Sequence, residues 1–284
     1  MVNVRRKQTK AETLYSHPLI KGTTRNLRWA IEGLAPKLAE LIKTPGGLRK
    51  RGKTASYAPC DMYDYSVFNG ATTILGTLDR LRYARHMLVN FPRGVRYQRA
   101  GITQDIWLEY HYSFFVVSLS SVSDLALLLT NSTYRLGMRP RDCVPNVIKE
   151  NDWVRSTTVR KAIDRVENTV KAYRELKNKH VHHGEVPDLA DLTDSNNYDL
   201  LKIITSLKEE GDSPVPSEIL KTGYALEVSE IVTKLDSEIE KVTAAVKEFF
   251  DALLPIYQRT EGFLHQNPDK DCGRLRAGKS LPER

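Results

Sequence analysis

Apolar residues recur at spacings of three and four along most of this chain, the period of a helix that buries one stripe. Over residues 25–43 the stripe is Leu27, Ile31, Leu34, Leu38 and Leu41, with Pro36 inside it as a predicted kink or break. Residues 44–69 are rich in Gly, Lys, Tyr and Asp without steady period and read as a long loop. A second helix is predicted from Ala71 to Asn90, with Ile74, Leu78, Leu81 and Leu88 on one face, stopping before Pro92. A third starts near Asp105. Its stretch from Tyr112 to Thr130 has Asp124 as the only charge and is long enough to raise a membrane span, but Ser113, Ser118, Ser120, Ser121 and Ser123 suit a central helix buried among protein neighbours.

The fourth helix starts near Ser156 or Thr157 and carries Val159, Ile163, Val166, Val170, Tyr173 and Leu176 on its buried face. It should end between Lys179 and Gly184, leaving His182 and His183 in a turn, and Pro187 forbids a long continuation. A short helix is expected from Asn197 to Glu210. After Gly211, Pro214 and Pro216 comes a last long helix from Glu218 to about Gln258. Helices with one apolar stripe each, joined by breaks, bury those stripes in an all-α antiparallel bundle. The expected organisation is a flexible basic N-terminus (1–24), a helical extension with a loop at 44–69 (25–104), the bundle itself (105–258) and a flexible basic tail (259–284).

Composition allows a real core, since 40% of the 284 residues are hydrophobic. Charge adds a direction: a formal net charge of +8 favours an anionic partner such as nucleic acid. Six arginines, Arg80, Arg82, Arg85, Arg93, Arg96 and Arg99, occupy a stretch without an acidic residue, interleaved with Tyr83, Phe91 and Tyr97. That mixture suits an RNA backbone tracked by guanidinium groups with bases stacked on rings, and equally a cationic helix end. Cys60, Cys143 and Cys272 are odd in number and widely spaced, which argues against a disulfide framework or zinc site and for a reducing cytoplasm. No apolar segment of signal-peptide length follows the basic start.

Chemistry concentrates in one place. Between Arg174 and Gly184 the chain holds Arg174, Glu175, Lys177, Asn178, His180, His182 and His183. An imidazole can take the proton of a ribose 2′-hydroxyl, a guanidinium can hold the charge that builds on the phosphoryl oxygens, and an amide or carboxylate can orient the reacting groups. Such a cleavage needs no metal or other cofactor. Three histidines on adjacent turn positions rarely aim at one ion, so a metal site is not expected there. The same residues also read as C-terminal helix cations with solvated histidines.

Arg174 and His180, with five residues between them at the close of a helix in an all-helical chain, resemble the signature of the HEPN superfamily, with Glu175 in the polar place after the Arg. A second register also fits: Lys177 and His182 with four residues between them, the first of which is Asn178, with Lys standing where the family has Arg. Lys is a point charge and cannot form the bidentate fork of a guanidinium. The resemblance covers residues 105–255 by helix order and the Arg174–Gly184 segment by residue. It implies a metal-independent endoribonuclease acting as a homodimer, in a toxin–antitoxin or antiphage defence setting, with an antitoxin or regulatory protein as further partner and no membrane. In it Arg174, His180 and His182 would be catalytic and Glu175 and Asn178 orienting. Outside the resemblance, the basic stretch with Arg80, Arg82, Arg85, Arg93 and Arg96 would, together with Lys177, guide RNA to the site if it lies on the same face. The family also contains members without catalysis that serve as binding modules, and a bundle binding protein or nucleic acid is the alternative.

Overall fold

A computed structural model describes residues 12–43, 59–92, 94–189, 199–204 and 215–267, and among them no strand occurs. The architecture is an all-α helical bundle. In chain order the helices are α1 (Glu12–Tyr15), α2 (Pro18–Lys43), α3 (Pro59–Val89), α4 (Val95–Arg99), α5 (Gln104–Thr133), α6 (Pro145–Lys149), α7 (Thr158–His183), α8 (199–204) and α9 (Ser217–Gln266). By contact the chain forms two compact units. The first joins 1–75, 124–165 and 246–284, and the second joins 76–123 and 166–245. Neither is a consecutive stretch of chain.

Three expectations fail at the same kind of place. The loop expected at 44–69 is helical from Pro59 onward, while 44–58 lie outside the described residues. Pro59 opens α3 where a missing N–H costs nothing, and Cys60, Tyr63, Asp64 and Val67 are all buried. Their spacing is helical, but Asp64 interrupts the apolar stripe. Within the N-terminal segment expected to be flexible, residues 12–15 and 18–24 are helical, with Leu14, His17, Leu19 and Ile20 buried, and 1–11 lie outside the described residues. The tail is also helical as far as Gln266, and α9 runs straight through Pro255. Buried Leu253, Tyr257 and Leu264 on either side of that proline hold the helix where its own hydrogen bond is lost. Likewise α2 continues through position 36. Of the short helix expected at 197–210, residues 199–204 are helical and the others lie outside the described residues.

The first unit packs Leu19, Val67, Ile74, Leu127, Ile148, Ile163, Phe249, Phe250 and Leu253 as its core. Gly70 sits where a Cβ would come within 3.0 Å of the Leu129 side chain, so α3 and α5 approach closely there. Polar side chains fasten the helices. The ring of His17 donates from Nε2 to Asp251 at 2.9 Å, and its Nδ1 accepts from the Leu19 amide at 3.1 Å. Tyr257 donates to Asp64 at 2.6 Å, stacks on Tyr63 with centroids 5.8 Å apart, and accepts from Asn26 at 3.1 Å.

In the second unit the core is Leu78, Leu81, Leu88, Leu108, Tyr112, Phe115, Val170, Tyr173, Ile231 and Leu235. Arg85 grips Asp236 with two hydrogen bonds of 2.9 and 2.7 Å, Tyr224 donates to Asp105 at 2.8 Å, and Phe115 meets Tyr173 edge to face. Lys202 ties α8 to Glu109 of α5 at 2.6 Å.

By length and composition α5 could cross a membrane, yet 67% of its most apolar window is buried inside the protein. Its buried hydroxyls return to backbone carbonyls one turn earlier: Ser120 to Val117, Ser123 to Ser120, Thr130 to Ala126 and Thr133 to Leu129. They thereby satisfy themselves inside the helix and leave its surface small where neighbours pack.

Candidate functional site

The buried stripe of α7, Val159, Ile163, Val166, Val170 and Tyr173, sets the position of everything after it. His180 follows Tyr173 by seven residues, close to two full turns, so it prolongs the core-facing stripe and is half-buried. The helix does not stop before the later histidines. It runs through His183 and ends at Gly184, whose φ of +73° is the left-handed conformation that closes many helices. The Gly184 amide donates to the His180 carbonyl at 3.1 Å. Pro187 and Leu189 are then buried, which draws the chain back over the helix end. That return places the Glu185 carbonyl 2.9 Å from His180 Nδ1.

This contact fixes a tautomer. A carbonyl oxygen can only accept, so Nδ1 carries the proton and donates, and the lone pair of the neutral ring lies on Nε2. An imidazole held in this way is prepared to accept a proton at Nε2.

The other site residues fall where a continuous helix puts them. Because His182 and His183 are helical, the turn expected to swing one of their imidazoles toward Arg174 does not form before Gly184. Arg174 and His180 are about 120° apart round the helix and about 9 Å apart along it. Lys177, three residues before His180, is the cation on its face. Asn178 stands four residues from both Arg174 and His182 and shares their side of the helix. Arg174 and Lys177 are half-buried, whereas Glu175, Asn178, His182 and His183 are exposed. Among the described residues no three His, Cys, Asp or Glu side chains group as metal donors.

The arginine stretch is partly spent on the protein itself. Arg82 pairs with Asp79 at 2.8 Å, and Arg85 is held by Asp236. Both were expected to meet RNA because the stretch contains no acidic residue. Asp79 lies one residue outside it, and Asp236 arrives from α9. Arg80 and Arg96 are exposed, and Arg93 lies outside the described residues. Of the interleaved aromatics Tyr83 is exposed, whereas Phe91 and Tyr97 pack edge to face on Trp107.

Sequence reasoning missed the polar cluster of the first unit. Asp64 is buried, and its Oδ2 has no hydrogen-bond partner; His265 Nε2 lies 4.0 Å away. Glu261 Oε1 accepts from Asn26 at 3.1 Å and lies 3.4 Å from His265 Nε2. Burial pushes the Asp64 carboxyl up, against the hydrogen bonds from Tyr257 and Asn26. The Tyr257 hydroxyl is likewise pushed well above its ordinary value, by burial first and by the Asp64 bond next. One signal was present in the sequence: Tyr257, Glu261 and His265 recur every four residues.

Compared with protein-family models, curated proteins and solved structures, the chain matches none of them.

Proposed function

We propose that the last turns of α7 carry a HEPN-like site for metal-independent cleavage of RNA. The observation that supports this reading is the His180 ring, held through Nδ1 by the Glu185 carbonyl with the lone pair left on Nε2. In the proposed reaction His180 Nε2 takes the proton of a ribose 2′-hydroxyl. The oxygen attacks the adjacent phosphorus, the bond to the 5′-oxygen breaks, and a 2′,3′-cyclic phosphate and a 5′-hydroxyl result. Lys177 supplies positive charge beside His180. Arg174 is turned away from that imidazole on its own helix, so it serves a phosphate held by His180 of a second copy, in a homodimer. Asn178 and Glu175 orient the groups around Arg174, and His182 is the imidazole on that side. Exposed Arg80 and Arg96 add to the positive field that draws RNA in. The setting is a reducing cytoplasm, in toxin–antitoxin or antiphage defence, with an antitoxin or regulatory protein controlling access.

Incubation of the full chain with single-stranded RNA in EDTA tests this. Fragments ending in cyclic phosphate are expected, with the rate lowered at least about 100-fold by His180→Ala. RNA left whole by the wild-type protein overturns the reading.

One observation favours a second reading, a non-catalytic HEPN-like bundle. The cation sharing the face of His180 is a lysine, which cannot grip a phosphate with two parallel bonds as arginine does. That reading expects RNA or protein binding without cleavage, and a binding affinity indifferent to His180→Ala.

A further inference from the structure

Three elements of the first unit meet at the Asp64 carboxyl: α3, which carries it, α2, which brings Asn26, and the end of α9, which brings Tyr257, Glu261 and His265. Positions 257, 261 and 265 are each four apart, so they share one face of α9. Asp64 Oδ1 accepts from the Tyr257 hydroxyl at 2.6 Å, and Asn26 Nδ2 donates to the Tyr257 oxygen and to Glu261 Oε1, each at 3.1 Å. That leaves Asp64 Oδ2, buried and without a donor. An unmet carboxylate oxygen away from water costs free energy. The group in front of it is the His265 imidazole, whose Nε2 is 4.0 Å from Oδ2 and 3.4 Å from Glu261 Oε1. At 4.0 Å there is no hydrogen bond. The Asp64 side chain is 2% exposed and that of His265 48%, so the carboxylate is sealed in while the imidazole can exchange a proton with water.

The other titratable neighbours do not supply the missing charge. Burial pushes the Tyr63 and Tyr257 hydroxyls up, which keeps both neutral, and Tyr63 donates to the Thr133 carbonyl at 3.0 Å. The Cys60 thiol, one turn before Asp64, is likewise pushed up by burial. Arg135, just past α5, acts on the Tyr63 hydroxyl. On the α2 side His17 meets Asp251, as does Lys247, about 15 Å farther back along α9. We propose that Asp64, Glu261 and His265 form a proton-operated latch: uptake of one proton puts an imidazolium between the two carboxylates and draws the end of α9 onto α3. His265 Nε2 then closes by about 1 Å to the charge-assisted distance of roughly 2.8 Å from Oδ2. With the proton lost, Oδ2 is again unmet and the last turn of α9 opens more readily. The groups titrate together, so the proton belongs to the cluster rather than to one side chain. The burial that pushes Asp64 up favours the same uptake. No α7 residue takes part, so the latch stands or falls independently of RNA cleavage.

Amide hydrogen exchange of the full chain, resolved by residue and corrected for the intrinsic effect of pH, tests it. Protection of the Phe263, Leu264 and His265 amides should rise about tenfold between about pH 8 and about pH 5.5, the range in which an imidazole gains its charge. The rise should vanish in His265→Gln and in Asp64→Asn, each of which keeps a polar group of similar size, with circular dichroism unchanged. Protection that does not rise in the wild type, or that rises equally in His265→Gln, overturns the proposal. A rise that persists in Asp64→Asn would leave Glu261 as the sole partner of the imidazole and would overturn the link to α3. Protection gained from added Zn²⁺ at pH 8 and lost in His265→Gln, without any response to protons, would assign the cluster to a metal ion and would overturn the latch too.

Discussion

His17 in the first unit and His180 in the second are the same side chain in opposite surroundings. The ring of His17 is buried and both its nitrogens are engaged, one by the Leu19 amide and one by Asp251. It closes the start of α2 and fastens it to α9, and no lone pair remains for chemistry. The ring of His180 is half-buried, with Nδ1 donating to a carbonyl and the lone pair on Nε2. What separates the two histidines is which groups the fold supplies to the ring. An amide and a carboxylate together satisfy it. A lone carbonyl fixes its tautomer and leaves a base.

The largest effect expected from this contrast is on chemistry. His180→Ala should lower RNA cleavage at least about 100-fold with no large change in thermal midpoint, whereas His17→Ala should leave cleavage per folded molecule unchanged. Rates on RNA in EDTA, read beside a melting curve, check both, and equal losses from the two variants would erase the distinction. Next comes stability. His17→Ala removes two hydrogen bonds from a buried site and is expected to destabilise the fold by about 2 kcal/mol in urea titration.

Gly184→Ala tests the backbone behind the second ring. Nothing lies within 4 Å of an added Cβ, so its cost is that of holding alanine at positive φ, about 1 kcal/mol. Because the same turn carries the Glu185 carbonyl to His180, cleavage should fall several-fold beyond what the stability loss explains. Full activity in this variant would detach the tautomer from the turn.

The smallest effect concerns the half-satisfied Asp64 carboxylate of the first unit. Burial raises Asp64 in the folded state, so the folded protein binds its proton more tightly than the unfolded chain does. The native fold is therefore favoured at low pH and loses stability as pH climbs through the raised value. Asp64→Asn keeps an acceptor for Tyr257 and removes the charge. Its thermal midpoint should exceed that of the wild type near neutrality, and the difference should shrink toward zero below the ordinary aspartate value of about 4. A lower midpoint at neutral pH would mean that the charged carboxylate is wanted where it stands.

The helical class was legible in the sequence because apolar periodicity is local, and the buried faces of α3 and α7 follow the residues read from it, save Leu176, which is only half-buried. The boundaries were less so, and each miss has a physical cause. Pro59 and Pro255 look like interruptions, yet one opens a helix and the other is carried by packing on both sides. Asp64 broke the stripe that would have revealed the first turns of α3. The arginine cluster shows the same limit on the side of function: counting charges within a stretch missed Asp236, which comes from far along the chain and takes up Arg85.

By itself the sequence determined the helices, their buried stripes and the crowding of imidazole, guanidinium and ammonium groups before Gly184, since all of these depend on residues a few positions apart. Only tertiary structure decided that α7 runs on through His183, that the following segment returns a carbonyl to His180, and that two arginines are already neutralised. Those outcomes depend on where Leu189 and Pro187 are buried and on which carboxylates the packing brings near, and spacing along a chain does not encode distances across a fold.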